Sequence, residues 1–199
     1  MRTRRPLFLL AFAALALGAA ACDGNPAGGG PPTGSDDLVF LRQGEEAPPL
    51  ETTEISFWVT QDDGGEAEIR YANGRDCLEF DVPNDALHSL NGVRFGEEDS
   101  VRITIRVVDL ERYIFEFLPA GLRFRGDREA ELRVSYDYAD PDYNEDGVVD
   151  DDDVDFDFGF WRQEAGQTTW TRIGTAQLKD LEELRADIRG FTRYAVAGE

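Results

Sequence analysis

Val101-Arg102-Ile103-Thr104-Ile105-Arg106-Val107 alternates apolar and polar residues without a break. A strand places successive side chains on opposite faces, so this pattern describes a sheet with one buried face and one wet face. The same period runs outward in both directions. Ile55, Phe57 and Val59 alternate with polar residues, as do Ala67, Ile69 and Tyr71. Ile114 to Leu118, Leu132 to Tyr136 and Trp170 to Ile173 continue it. Asp62-Asp63-Gly64-Gly65, Asn73-Gly74 and Gly126-Asp127 supply turns between the runs. Short strands at this spacing predict a mainly β chain folded as an antiparallel β-sandwich over residues 38–199. Leu184, Ala186 and Ile188 predict a further strand with a short helical turn before it.

The N-terminal stretch is of another kind. Arg2, Arg4 and Arg5 precede an uncharged apolar run from Leu7 to Leu17, and Gly18-Ala19-Ala20-Ala21 leads into Cys22. Positive, apolar and small residues in this order predict a signal peptide over residues 1–21. Cys22 directly after small residues resembles the lipobox of bacterial lipoproteins, although Ala19 stands where that pattern prefers Leu. The resemblance implies lipid on Cys22 and a bacterial cell-envelope location, with the membrane as a partner through that lipid, periplasmic or surface-exposed. Residues 22–37, with Gly28-Gly29-Gly30-Pro31-Pro32, read as a disordered Gly/Pro linker. Coil statistics give such a tether a reach of about 20 Å.

Charge narrows the partners. The formal net charge is −21, and loss of the three leader arginines takes it to −24. Phosphate backbones are repelled by such a surface, so nucleic acid is not an expected partner. The ligand class left open is a protein or a glycan. Of the two cysteines, Cys77 is left without a partner once Cys22 carries lipid. Alternation puts Cys77 on the face of Glu79 and Asp81, and its burial is open on sequence alone. Trp58, Trp161 and Trp170 lie in strand-like contexts and are expected as core or sheet-face packing.

Three segments share a further pattern. They are Phe80-Asp81-Val82-Pro83-Asn84-Asp85-Ala86-Leu87, then Phe117-Leu118-Pro119-Ala120-Gly121-Leu122-Arg123-Phe124 with Ala130 to Tyr136, then Trp161, Trp170 and Gly190-Phe191-Thr192-Arg193-Tyr194-Ala195-Val196. Together they resemble the ZU5-type β-sandwich domains of bacterial surface proteins, over about residues 77–197. Some relatives self-cleave before the Ser of a His-Phe-Ser triplet. Here the triplet is Gly190-Phe191-Thr192, and the single histidine, His88, lies elsewhere in sequence, so that activity is not carried over.

Chemistry concentrates in one place. Eleven carboxylates and no basic residue lie between Asp137 and Asp157. Residues 142–153 fit the twelve-residue EF-hand loop, with Asp142, Asn144 and Asp146 at positions 1, 3 and 5 and Gly147 at the sharp turn. Val148 offers its backbone carbonyl at position 7, the apolar Val149 takes position 8, and Asp150 and Asp153 take positions 9 and 12. Ca²⁺ is therefore the expected cofactor: it takes six to eight oxygens, and alternate residues of a tight loop can supply them. Asp153 replaces the Glu of classical loops, as in the dockerin loops this one also resembles; dockerins, however, carry two. After the loop, Val154 to Phe158 alternates like a strand.

No Ser-His-Asp set, no HExxH and no phosphate-cradling Gly loop is present. A non-enzymatic binding or structural module is the expectation. The alternatives are a carbohydrate-active hydrolase using two carboxylates and a calcium-dependent docking module.

Overall fold

The computed structural model describes residues 29–199, so the signal peptide and Cys22 lie outside the described residues. In chain order the elements are β1 (Thr33–Gly34), β2 (Val39–Phe40), β3 (Glu54–Thr60), β4 (Gly65–Arg70), β5 (Asp76–Val82), β6 (Leu87–Leu90), β7 (Val93–Arg94), β8 (Ser100–Asp109), β9 (Ile114–Leu118), β10 (Leu122–Phe124), β11 (Ala130–Ser135), α1 (Asp151–Asp155), β12 (Gly159–Gln163), β13 (Thr169–Arg172), β14 (Ala176–Leu178), β15 (Glu183–Ile188) and β16 (Arg193–Gly198). The chain is mainly β, and every strand pairing is antiparallel. Among the described residues no helix is long and apolar enough to cross a membrane.

Two sheets carry the core. One runs β1-β13-β12-β16-β9-β8-β3, with β2 also on β16; the other runs β14-β15-β11-β5-β4. A short third sheet, β10-β6-β7, closes one end. Alternation does the folding work. In β8, Val101, Ile103 and Ile105 are buried, while Arg102 and Arg106 face water. In β11, Leu132 and Val134 point inward against Phe80 and Leu78 of β5. Phe80, Phe117, Phe124 and Phe191 meet at ring separations of 5.2 to 6.4 Å and form the centre of the core. Offset and edge-to-face contacts of this kind add to simple area burial.

Four sequence expectations need correction. The linker ends earlier than residue 37: Thr33 and Gly34 pair with Trp170 and Thr169, and Trp170 Nε1 donates to Ser35 Oγ at 3.2 Å. Leu38 and Phe40 then pack with Trp161 and Trp170 in a satellite cluster on the outer side of the larger sheet. Trp58 is not core; it is 64% exposed, because its neighbours Phe57 and Val59 take the inward side of β3. Val154 to Phe158 is not a strand: Asp151–Asp155 forms α1, and β12 begins only at Gly159.

The fourth concerns Cys77. It is fully buried. Ile69 pairs with Leu78 and Arg70 with Asp76, so Cys77 is the extra residue of a β-bulge. The bulge breaks simple alternation and turns both Cys77 and Leu78 inward. Burial pushes the Cys77 thiol up to about 11, while a hydrogen bond with Tyr71 pulls the other way. The segment predicted beyond Leu181 behaves as expected, with a 3₁₀ turn over Lys179–Leu181 leading into β15.

A candidate calcium loop

The acidic segment leaves β11, an interior strand of the smaller sheet, and returns to β12, an interior strand of the larger one. Aromatic side chains pin its two ends together. Tyr143 lies 6.2 Å from Tyr136 and 5.1 Å from Phe158, both edge-to-face, and Phe156 stands 5.0 Å from Phe158. Burial pushes the Tyr143 hydroxyl up to about 12. On the solvent side Arg42 forks onto Glu145, Nε to Oε1 at 2.8 Å and Nη2 to Oε2 at 2.9 Å. Lys179 Nζ donates to the Val154 carbonyl at 2.8 Å, satisfying an oxygen at the end of α1.

Inside the loop every predicted side-chain ligand accepts from backbone amides. Asp142 Oδ1 takes the Asp146 amide at 3.1 Å and Oδ2 the Gly147 amide at 2.9 Å. Asn144 Oδ1 accepts from Asp146 N at 2.9 Å, and Asp146 Oδ1 from Val148 N at 2.8 Å. Asp150 is the N-cap of α1 and accepts from Asp152 N at 2.9 Å. Asp153 does the most. Its Oδ1 takes the amides of Tyr143 at 2.7 Å and Asn144 at 3.1 Å, and its Oδ2 takes the amide of Asp150 at 2.9 Å. One carboxylate thus closes the loop on itself, start to finish.

That bonding explains its electrostatics. Asp153 is buried, yet its carboxyl is held below the usual carboxylate range, first by the Asp150 amide and then by those of Asn144 and Tyr143, against the cost of burial. The backbone bends twice to reach these bonds. Glu145 and Gly147 both have positive φ, 59° and 87°. At Gly147 a side chain would meet open space, so the glycine answers a conformational demand rather than a steric one.

The six residues named from sequence are therefore assembled into one loop, but their carboxylates are not gathered on one point. Among the described residues no three Asp, Glu, His or Cys side chains form a metal-holding group. Val149, the apolar residue of the pattern, is exposed. What sequence reading missed is the capping box of Asp150 and Asp153, which nucleates a single helical turn, and the aromatic clamp of Tyr143 and Phe158. The signal for the first was present, since Asp at N-cap with an acidic residue three places on is a helix start. No protein-family model, no curated protein and no solved structure matches this chain.

Proposed function

We propose that the protein is a lipid-anchored, non-enzymatic binding module of a bacterial envelope, with one Ca²⁺ stiffening the loop of residues 142–153. The observation that carries the reading is the closed ring of amide bonds around Asp142 and Asp153. It holds the backbone in a tight turn before any ion arrives. A carboxylate oxygen with one amide bond keeps a second acceptor site for a cation; Asp153 Oδ1 already takes two amides, so Asp153 would reach the ion through Oδ2. Asp142, Asn144, Asp146, Asp150 and Asp153 would supply side-chain oxygens, with the Val148 carbonyl beside them. Gathering those oxygens requires side-chain rotation, and the turn itself stays as it is. The ion would offset the mutual repulsion of clustered carboxylates.

The sandwich gives the loop a rigid base, and the ZU5-like motif order belongs to the same reading. The order of charged, apolar and small residues before Cys22 supports a membrane anchor. Equilibrium dialysis against Ca²⁺ tests the metal: one ion per chain supports the reading, and none at millimolar calcium ends it. Mass spectrometry of the mature N-terminus tests the anchor, for which a diacylated or triacylated Cys22 is the expected species.

A further inference from the structure

The outer face of the larger sheet carries a bare indole. Trp58 on β3 is 64% exposed, while Phe57 and Val59 on either side of it turn inward. Residues two places apart on a strand share a face, so Ser56 and Thr60 stand outward with Trp58. Arg102 lies opposite Trp58 on β8, and Thr104 lies opposite Ser56, their hydroxyl oxygens 2.7 Å apart. Every outward neighbour of the ring is therefore polar. The Arg102 side chain is exposed, and among the described residues its guanidinium has no ion pair.

The face continues into a groove. Thr104 lies opposite Leu118 on β9, and Leu118 and Ala120 line one wall of an opening of about 390 Å³. The end of β12 and the turn after it, Gln163 to Gln167, line the other. The opening exists because β16, which separates β9 from β12, starts only at Arg193, and β9 and the turn run on past that end. Gln163 is half-buried and Gln167 exposed. Their side-chain amides make no hydrogen bond among the described residues, and neither is sealed from solvent. Charges on this face neutralise one another: Arg106 meets Glu54 and Glu116, and Glu116 also takes Arg193 at 3.1 Å. In a chain at −21 the face is close to neutral.

We infer that this face binds a neutral linear oligosaccharide, with one ring stacked on Trp58 and the following rings carried over Leu118 into the groove of Gln163 and Gln167. The inference rests on the reading of the protein as a binding module and gives that module its ligand class. A pyranose has an apolar C–H face rimmed by hydroxyls, which matches a flat indole rimmed by Ser56, Thr60, Thr104 and Arg102. Hydroxyls donate and accept, and so do the two free primary amides of the groove. A protein partner would need an apolar centre several residues wide, and here the indole stands alone among polar side chains. A polyanionic glycan would be repelled by the chain's net charge. Ring and groove lie at the same end of the sheet, separated by three strand spacings of about 4.8 Å, or roughly 14 Å, the reach of a short oligosaccharide and not of one sugar. The groove volume falls within the range of about 300–1,000 Å³ usual for ligand sites.

Titration of the mature protein with cellohexaose, maltohexaose, chitohexaose and an oligogalacturonate tests the inference, with tryptophan emission as the readout. Trp161 and Trp170 are buried, so a blue shift on binding reports Trp58. At least one neutral hexasaccharide binds at millimolar concentration and shifts the emission, and its disaccharide binds at least about tenfold more weakly, the ratio expected when the groove contacts are lost. Calorimetry follows the variants. Trp58→Ala weakens the hexasaccharide at least about tenfold and Trp58→Tyr restores most of the loss, since a phenol ring still offers a stacking face. Gln163→Ala with Gln167→Ala weakens the hexasaccharide and leaves the disaccharide unchanged. Asp142→Ala, in the acidic loop, leaves sugar affinity unchanged, so loss of calcium binding and loss of sugar binding are separate results. Release of reducing ends from a bound sugar would support the surface while ending the non-enzymatic reading. The inference is overturned if no neutral hexasaccharide binds, if the oligogalacturonate binds more tightly than all three, if hexasaccharide and disaccharide bind alike, or if Trp58→Ala keeps full affinity.

Discussion

The Asp153 carboxylate accepts the amide of Asp150 at 2.9 Å while Asp150 caps the helix that contains Asp153. The two residues hold each other in place, and together they turn a run of like charges into an ordered turn. Acidic residues in a first helical turn also meet the positive end of the helix dipole, as Asp151 to Asp153 do at the start of α1.

Asp150→Ala removes the cap and is expected to lower stability by about 1 kcal/mol, the usual cost of losing an N-cap carboxylate. Asp151→Ala, at an exposed side chain outside the network, should change it by less than about 0.5 kcal/mol. Urea unfolding of the two variants compares them. Equal losses would mean that the cap carries no weight.

Cys77 should be unreactive in the native protein. Its thiol is fully buried, and its pKa is pushed up to about 11 from an ordinary 9.0. Because the folded pKa is the higher one, the thiol's contribution is fully present below about 9 and is lost as pH rises toward about 11, amounting to roughly 3 kcal/mol for a shift of this size. Burial raises the hydroxyls of Tyr71 and Tyr113 in the same direction. Alkaline denaturation monitored by circular dichroism, with thiol titration by a chromogenic disulfide, should show reaction at Cys77 only as the protein unfolds. Rapid labelling at neutral pH in a folded sample would contradict the burial.

Trp58 should dominate quenching by acrylamide. Trp161 and Trp170 are buried, at 1% and 3% exposure, and Trp58 is open to solvent. Trp58→Phe should remove the quenchable, red-shifted emission and leave the melting temperature within about a degree, as surface substitutions do.

Truncation separates the tether from the fold. Removing residues through Gly28 should leave stability unchanged. Removing residues through Asp37 deletes β1 and the Ser35 acceptor of Trp170, and should lower stability by about 1 kcal/mol or more, the net worth of a typical hydrogen bond plus lost pairing. Thermal melts of the two truncations decide it.

Much of the sandwich was legible because period two is a local property. Val101 to Val107 could be read as a strand without knowing its neighbours, and Ile55, Phe57 and Val59 already put Trp58 on the other side. Reading Trp58 as packed followed its residue type instead of its register. Cys77 was not legible, because a bulge depends on how two strands pair, and pairing is not local. Thr33 and Gly34 were hidden for a similar reason: their partner strand lies more than a hundred residues away, and Gly/Pro composition speaks for a tether. The loop's ligand spacing was plain in the sequence. Its helical turn was masked by the alternation of Val154, Phe156 and Phe158, which the Asp150–Asp153 cap overrides.

The central claim is that residues 142–153 form a specific calcium site, and thermal melts with and without millimolar Ca²⁺ across three variants test it most directly. The parent should gain a few degrees, since a ligand at a hundredfold excess over its Kd stabilises by about 2.7 kcal/mol and weak extracellular-type sites sit below that excess. Asp142→Ala, which removes the first ligand, and Gly147→Val, which forces a β-branched side chain to φ 87°, should both abolish the gain, while Asp151→Asn should keep most of it. Equal loss of the gain in all three variants would show diffuse ion condensation on an acidic surface and would contradict the site.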